Sequence, residues 1–267
     1  MALGNSIKTI KADMNDTVSI LEAIDKSNAT VVWFTTDWYS IKKPTRAKEA
    51  QLGYNVIDAI KKRSDKIKHV VYNSGAYVDN VPLKMQEFWS KADVEKYMEK
   101  KLSSVSTTWS VLRPVAFLDN LDDAKNKNAL KKGHVKMLTK ASCPVKWISA
   151  TDIGKGSAAL LMNPDRYAGK MLDAATCEYT GDELAQVLSE VSGTKCTYSL
   201  SVPRWVVWLF VNNLYQMVRW LESSEGGYKE TDIEAFKKVV PDYQDADDWF
   251  ASKGKWSNGE EFLSTRA

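Results

Sequence analysis

A chain of 267 residues with 44% hydrophobic content is long enough for one or two domains around a substantial core. Its charges nearly cancel, 37 Lys and Arg against 34 Asp and Glu, so the formal charge is only +3 and no general footprint for nucleic acid or an anionic membrane arises. Cys143, Cys177 and Cys196 lack a C-x-x-C pairing, and His69 and His134 are the only histidines, so no metal site is expected and a reducing compartment is favoured. Met1 to Ser6 has neither the basic start nor the apolar run of a secretory signal, which makes Asn15-Asp-Thr17 and Asn28-Ala-Thr30 accidental sequons in a cytoplasmic protein, with the nucleus as a second location.

In chain order, the imperfect alternation of Ile7 and Ile10 with polar residues predicts a short strand over 6–12, closed by a turn at Asp13 to Asp16. Asp16 can cap a helix with Val18, Leu21 and Ile24 on one face. Thr30 to Thr35 is apolar and β-branched enough for a buried parallel strand, and Leu52, Val56, Ala59 and Ile60 fall at helical spacing within 45–63. The stretch from His69 to Asn120 then reads as a βαβ unit: a strand stopping at Gly75, a helix beginning around Phe88 to Lys91, and a strand over 108–113 ended by Pro114. In a parallel sheet, ligands bind outside the carboxyl ends of the strands, so Ser74, Lys91 and the segment from Pro114 to Asn120 are expected on one rim.

Beyond Pro114, Phe117, Leu118, Leu121 and Ala124 predict a helix or helical loop, and the lysine-rich residues 125–140 a solvated face. A strand over 144–149 precedes a helix capped by Thr151 or Asp152 and ended by Pro164. Strands are expected over 170–174 and 196–200, with a helix between them opened by the capping box Thr180-Gly-Asp-Glu183. The apolar stretch 202–221 is interrupted by Arg204, Asn212, Asn213 and Arg219, so it cannot span a membrane. Trp205, Trp208, Leu209, Tyr215 and Val218 are expected to form a broad buried face there, with pocket lining and membrane docking as the alternatives. Two short helices over 231–239 and 243–252 and a fraying polar tail complete the chain. A soft boundary near residue 142 divides it into residues 1–142, a Rossmann-like domain, and 143–267, a smaller lobe interleaved with it.

Several segments, in this order, resemble the NmrA-like family of atypical short-chain dehydrogenase/reductases: Lys11-Ala-Asp-Met-Asn-Asp16, Phe34-Thr-Thr-Asp-Trp38, Gln51-Leu-Gly-Tyr-Asn-Val-Ile-Asp-Ala59, Ser90-Lys-Ala-Asp-Val-Glu95, Leu112-Arg-Pro-Val-Ala-Phe117 with Asn120, and Ile148-Ser-Ala-Thr-Asp-Ile-Gly154. The resemblance covers most of the chain. It implies an α/β fold with a Rossmann-like parallel sheet binding NADP or NAD and a smaller α+β C-terminal lobe. Some members are redox-sensing regulators that bind protein partners, and relatives are reductases. By the same resemblance, Asp13 is similar to the acid that meets adenine, Thr35 and Thr36 lie where a strand end meets the cofactor, and Ser74 has the strand-end position of a catalytic serine. Pro114 and Phe117 complete the cofactor-binding set. Lys91 is similar to the catalytic lysine that touches the nicotinamide ribose, a role suited to an ammonium that holds hydroxyls and lowers a neighbouring pKa. Ordinary readings stay open beside these: Asp13 and Ser74 as turn residues, and Lys91 as a solvated residue in the first turn of a helix opened by Ser90. If Lys91 only holds a ribose, Lys91→Ala should leave stability within about 0.5 kcal/mol.

The sequence departs from the family in two places. Glu87, not tyrosine, stands four residues before Lys91, and a carboxylate at neutral pH is a poor proton donor to a carbonyl. No G-x-G-x-x-G or G-x-x-G-x-x-G occurs, and Gly154-Lys-Gly156 follows no nucleotide-binding turn, so the sheet is expected to be N-terminally truncated, without the turn that brings backbone N–H groups to a pyrophosphate. Losing two or three such bonds, roughly 1.5 to 3 kcal/mol each, would weaken dinucleotide binding on the order of a hundredfold or more. Three readings follow: an NAD(P)-binding redox sensor with weak or no catalysis, an NAD(P)H-dependent reductase of a small carbonyl or quinone, and an interaction module that binds neither. No direct contact with nucleic acid or membrane is expected. Without the central strand, residues 7–12 must pair with the strand at Val31 or leave an open apolar edge through which the chain self-associates.

Overall fold

The computed structural model describes residues 7–122, 129–210, 212–223 and 227–253. Ser6, Ala124, residues 125–128 of the lysine-rich stretch and the polar tail from 254 lie outside them. The chain forms two units interleaved in sequence: Met1–Ser74, Gln86–Leu112 and Ser157–Leu172 make one, and Gly75–Met85, Arg113–Gly156 and Asp173–Ala267 the other.

In the first unit, α1 (Thr17–Ser27) starts where the Asp16 carboxylate accepts the Val18 N–H at 2.8 Å and stops at Asn28, whose φ of 56° is left-handed. It buries Ile20 and Ile24, with Leu21 packed beside them, while Val18, placed on that face by spacing, is exposed. The β-branched run β1 (Val31–Thr35) follows, then α2 (Arg46–Lys62), capped by Thr45, then β2 (His69–Asn73), buried at every residue. Next come α3 (Gln86–Leu102) and β3 (Thr108–Pro114). β1 and β2 pair in parallel, with Phe34 opposite Tyr72, and β2 and β3 likewise, with Tyr72 opposite Val111. The sheet runs β1–β2–β3–β7, where β7 is Lys170–Ala174. Phe34 stacks on Tyr72 at 4.8 Å within a core that includes Ile57, Ile60, Val94 and Met98.

Helices α2 and α3 pack closely because of Gly53: a Cβ built there would lie 2.5 Å from Val94 Cγ2. Tyr54 stacks on Tyr97 at 4.1 Å, and the Arg46 guanidinium donates to both carboxylate oxygens of Asp93 at 2.5 and 2.6 Å. The predicted strand over 6–12 does not form among the described residues. An extended segment becomes a strand only against a ladder partner, and 7–12 has none; Ile7 is 53% exposed. β1 is therefore the terminal strand of this sheet among the described residues.

The second unit is built from shorter pieces. β4 (Ala116–Phe117) pairs in parallel with β6 (Val145–Ile148), which pairs antiparallel with β8 (Cys177–Tyr179). β5 (His134–Met137) and β9 (Thr197–Leu200) form a separate parallel pair. The helical loop after Pro114 is a 3-10 turn over Leu118–Asp122 that buries Leu118 and Leu121. α4 (Ala150–Met162) is opened by Ser149, whose Oγ accepts the Asp152 N–H at 3.0 Å, so Asp152 is a first-turn residue and not the cap. Pro164 does not merely end it but begins α5 (Pro164–Tyr167). α6 (Gly181–Ser192) has the full capping box: Thr180 Oγ1 accepts from Glu183, and the Glu183 carboxylate accepts from the Thr180 N–H. Its Leu184 and Leu188 meet Trp147 and, from α10 (Ala246–Lys253), Trp249 and Phe250.

The apolar stretch near residue 210 forms α7 (Arg204–Phe210) and α8 (Asn212–Leu221), followed by α9 (Ile233–Lys237). Here the expected buried face is overturned: Trp205, Trp208 and Leu209 are 66%, 58% and 57% exposed, whereas Val207 and Val218 are buried. An apolar residue on every side of a helix gives spacing nothing to choose between; the core takes the Val207 side, leaving positions 205, 208 and 209 opposite it. No helix among the described residues is long and apolar enough to cross a membrane.

Candidate functional site at the ends of the first unit's strands

β1 ends at Thr35 and β2 at Asn73, the carboxyl ends at which parallel sheets hold ligands. Thr35 Oγ1 donates to the Asn73 carbonyl at 2.9 Å, which ties the two ends together. One residue on, Thr36 is buried, and its Oγ1 lies 2.9 Å from Glu49 Oε1 and 3.1 Å from the Tyr72 hydroxyl. Glu49, in the first turn of α2, is wholly buried. A buried carboxylate is tolerated only with compensating donors, and Glu49 has three: Thr36, the Ser90 hydroxyl, and Lys91 Nζ at 3.1 Å. The Lys91 ammonium also donates to the Thr36 carbonyl at 3.0 Å and to Thr36 Oγ1 at 3.2 Å. All three of its N–H donors are thus directed at protein acceptors. Burial raises the Tyr72 phenol well above its usual range, so it remains a neutral hydrogen-bonding group here.

Lys91 and Thr36, separated by 55 residues in sequence, are thus brought together at the ends of the strands. The reading of Lys91 as a solvated first-turn residue falls, because α3 begins at Gln86 and the Lys91 side chain is only 19% exposed. Ser90 is no cap either: its hydroxyl bonds Glu49 and the Glu87 carbonyl. Glu49 escaped the sequence reading. Its signal was a carboxylate, Glu49, on the same helical stripe as Leu52 and Val56, which calls for a buried counter-ion.

Glu87 lies one turn before Lys91 with Oε2 buried and without a hydrogen-bond partner. Burial first, and the Glu49 charge second, raise its carboxyl above the usual carboxylate range. Asp13 sits apart from this network in a surface turn, where its Oδ1 accepts from the Asn15 N–H at 2.8 Å and from Asn15 Nδ2 at 2.9 Å; the first of these bonds is the chief reason its carboxyl is more acidic than usual. Asn55 of α2 anchors the turn by donating to the Met14 carbonyl at 2.8 Å. Beside it, a cleft of about 400 Å³ is lined by Asn15, Ser40, Ile41, Lys42, Lys48, Gln51 and Leu52. Ser74 is buried after β2, and its N–H donates to Leu112 at 2.8 Å. Pro114 and Phe117 belong to the second unit: the Pro114 carbonyl accepts from Ala76 at 2.9 Å, and Phe117 stands opposite Ile148.

A dinucleotide needs contacts at adenosine, pyrophosphate and nicotinamide ribose. The Asp13 turn and the Thr36–Lys91 end are polar and lie apart from one another. Among the described residues no glycine-rich turn stands ready for a pyrophosphate: Gly154 and Gly156 lie inside α4, and β1 runs on into a 3-10 turn at Trp38–Ser40 capped by Asp37.

The fold is shared with solved structures of low sequence identity. A nucleoside-diphosphate-sugar epimerase from Staphylococcus aureus matches with a TM-score of 0.70 at 20% identity, over 92% of this chain and 84% of that one. An NADPH-dependent quinone oxidoreductase from Escherichia coli, complexed with NADPH, matches at 0.68 and 18%, over 91% and 82%. NmrA, a negative transcriptional regulator, in complex with NAD, matches at 0.67 and 14%, over 92% and 82%. The architecture is a Rossmann-like α/β fold. The family is fixed by the match of the NmrA-like family over residues 4–263: the chain belongs to the NmrA-like family.

Proposed function

We propose that this protein is a dinucleotide-responsive regulator of the NmrA-like kind, taking NADP or NAD with weak or no catalysis and acting through a protein partner. The observation that carries this reading is the state of Lys91: its ammonium is held by Thr36 and Glu49, and the residue one turn before it is Glu87 where a reductase of this type would offer a phenol. A lysine so held organises the strand ends and presents little free donor capacity to a reacting carbonyl. Asp13, Thr35, Thr36, Ser74, Pro114 and Phe117 are the remaining residues proposed for the cofactor, with affinity resting on the adenosine and ribose ends. The solved relatives support a nucleotide ligand in general, since those proteins were obtained with NADPH and NAD.

One observation favours reduction of a small carbonyl or quinone as a second reading. Burial of Oε2 raises the Glu87 carboxyl above the usual carboxylate range, the direction a proton donor needs. Titration calorimetry with NADPH, NADP and NAD, paired with NADPH oxidation across quinones and aldehydes, separates the readings. Saturable dinucleotide binding that weakens in Asp13→Ala, with negligible turnover, is the expected result. Turnover of about 1 per second or more would establish the reductase. Binding of none of the three nucleotides would leave an interaction module.

A further inference from the structure

The loop that leads from β1 into α2 is basic and folded back on itself. Residues 41–48 hold Lys42, Lys43, Arg46 and Lys48 and no acid, so this short stretch is more positive than the net +3 of the whole chain. Arg46 is paired with Asp93, but the three lysines are exposed. Lys48 Nζ donates to the carbonyls of Lys42 at 3.2 Å and Lys43 at 3.0 Å, which leaves one of its three N–H groups for another acceptor. The Lys42 ammonium makes no hydrogen bond or ion pair among the described residues. Lys43 has a φ of 51°, and a left-handed backbone at a residue other than glycine persists only where its surroundings hold it, here through the grip of Lys48. The loop is thus held in place before any ligand arrives.

It forms one wall of the cleft of about 400 Å³ beside the Asp13 turn, a size usual for a small-molecule site. Ile41 and Leu52 give the cleft an apolar part, and its charged groups are Lys42 and Lys48, both cations. Asn15 and Gln51 join it to the turn: Asn15 Nδ2 donates to Asp13 at 2.9 Å, and Gln51 donates to Asn55, which holds the Met14 carbonyl. A flat apolar body that carries an anion suits this lining. The inference rests on the dinucleotide reading above, which puts adenosine at the Asp13 turn; the anion that sets NADP apart from NAD is the 2′-phosphate on that adenosine. We propose that Lys42 and Lys48 bind this phosphate and give the protein a preference for NADP over NAD. A phosphomonoester carries about −1.5 to −2 charge at pH 7, which two ammonium groups balance. Lysine suits the role as a compact point charge on a flexible stem, able to follow a group held from the adenosine side.

Titration calorimetry of the whole chain tests this assignment with NADP and NAD, and with adenosine 2′,5′-bisphosphate and adenosine 5′-monophosphate as probes that lack the nicotinamide. NADP is expected to bind about tenfold or more tighter than NAD, and the bisphosphate tighter than the monophosphate by a similar factor, as charge-assisted contacts allow. Lys42→Met should weaken NADP about tenfold and leave NAD within about twofold, and the parent's preference should shrink as salt rises. Lys48→Met should act in the same direction. Because Lys48→Met also releases the loop carbonyls, Lys42→Met decides alone if that variant fails to fold. Equal affinity for NADP and NAD, equal weakening of both by Lys42→Met, or inorganic phosphate bound as tightly as the bisphosphate would each overturn the proposal while dinucleotide binding stood. Binding of neither dinucleotide and neither probe would remove the functional reading itself, and the proposal with it.

Discussion

Lys91 and Glu49 show how a residue's role follows from what is buried with it. Seen as a helix-start lysine, Lys91 could be removed at a cost within about 0.5 kcal/mol. Against a wholly buried Glu49 its loss leaves a charge without its cation, and such breakage costs about 3 to 5 kcal/mol, with the lower end apt for a lysine that keeps some exposure. Lys91→Ala should therefore destabilise by about 3 kcal/mol, and Lys91→Met with Glu49→Leu should recover most of it, as compared by urea melts; a single variant as stable as the parent would show that Glu49 finds water or other donors. Glu87 gives a pH test of opposite sign to an ordinary ion-paired acid. Its folded pKa is raised, so the folded state binds the proton more tightly, and acidification through that pKa toward the unfolded value near 4.5 adds stability. Glu87→Gln lacks this gain. The stability of the parent relative to Glu87→Gln should rise as pH falls toward 4.5, and a difference that stays flat with pH would mean that the carboxyl is solvated.

At the level of elements, α2 and α3 are held at a distance set by Gly53. A methyl group there meets Val94, buried and unable to withdraw, so overpacking of about 1 to 3 kcal/mol should exceed the roughly 1 kcal/mol that alanine returns in helix propensity. Gly53→Ala is expected to melt earlier, and adding Val94→Ala to relieve the clash; equal melting of parent and Gly53→Ala would show that the helices slide apart freely. The helices and strands that could be read from the sequence are those whose cause is local: Asp16, Thr45 and the Thr180–Glu183 box start helices through their own side chains, and the β-branched runs at 31–35 and 69–73 lie in strands. What escaped depends on partners distant in sequence. Residues 7–12 alternate imperfectly yet find no neighbouring strand among the described residues, Trp205 and Trp208 have helical spacing on the side turned from the core, and the Glu49–Lys91 pair spans 42 residues. Of the hydrogen-bonded group at the strand ends, Thr36 and Lys91 are residues that the family resemblance singles out, while the buried acid that holds them is not.

For the molecule as a whole, near-cancellation of charge bears on how stability responds to salt. With 37 basic against 34 acidic residues, the net +3 gives weak self-repulsion in the compact state. The Lys91–Glu49 pair is buried on the carboxylate side and is screened less than an exposed pair. Raising salt from about 0.05 to 0.5 M shortens the screening length severalfold and should therefore leave the urea midpoint nearly unchanged. Urea melts at the two salt concentrations measure this directly. A midpoint that climbs steeply with salt would show that clustered like charges, not the net balance, govern stability, and one that falls steeply would show that exposed ion pairs such as Arg63–Asp25 carry more of it than their exposure suggests.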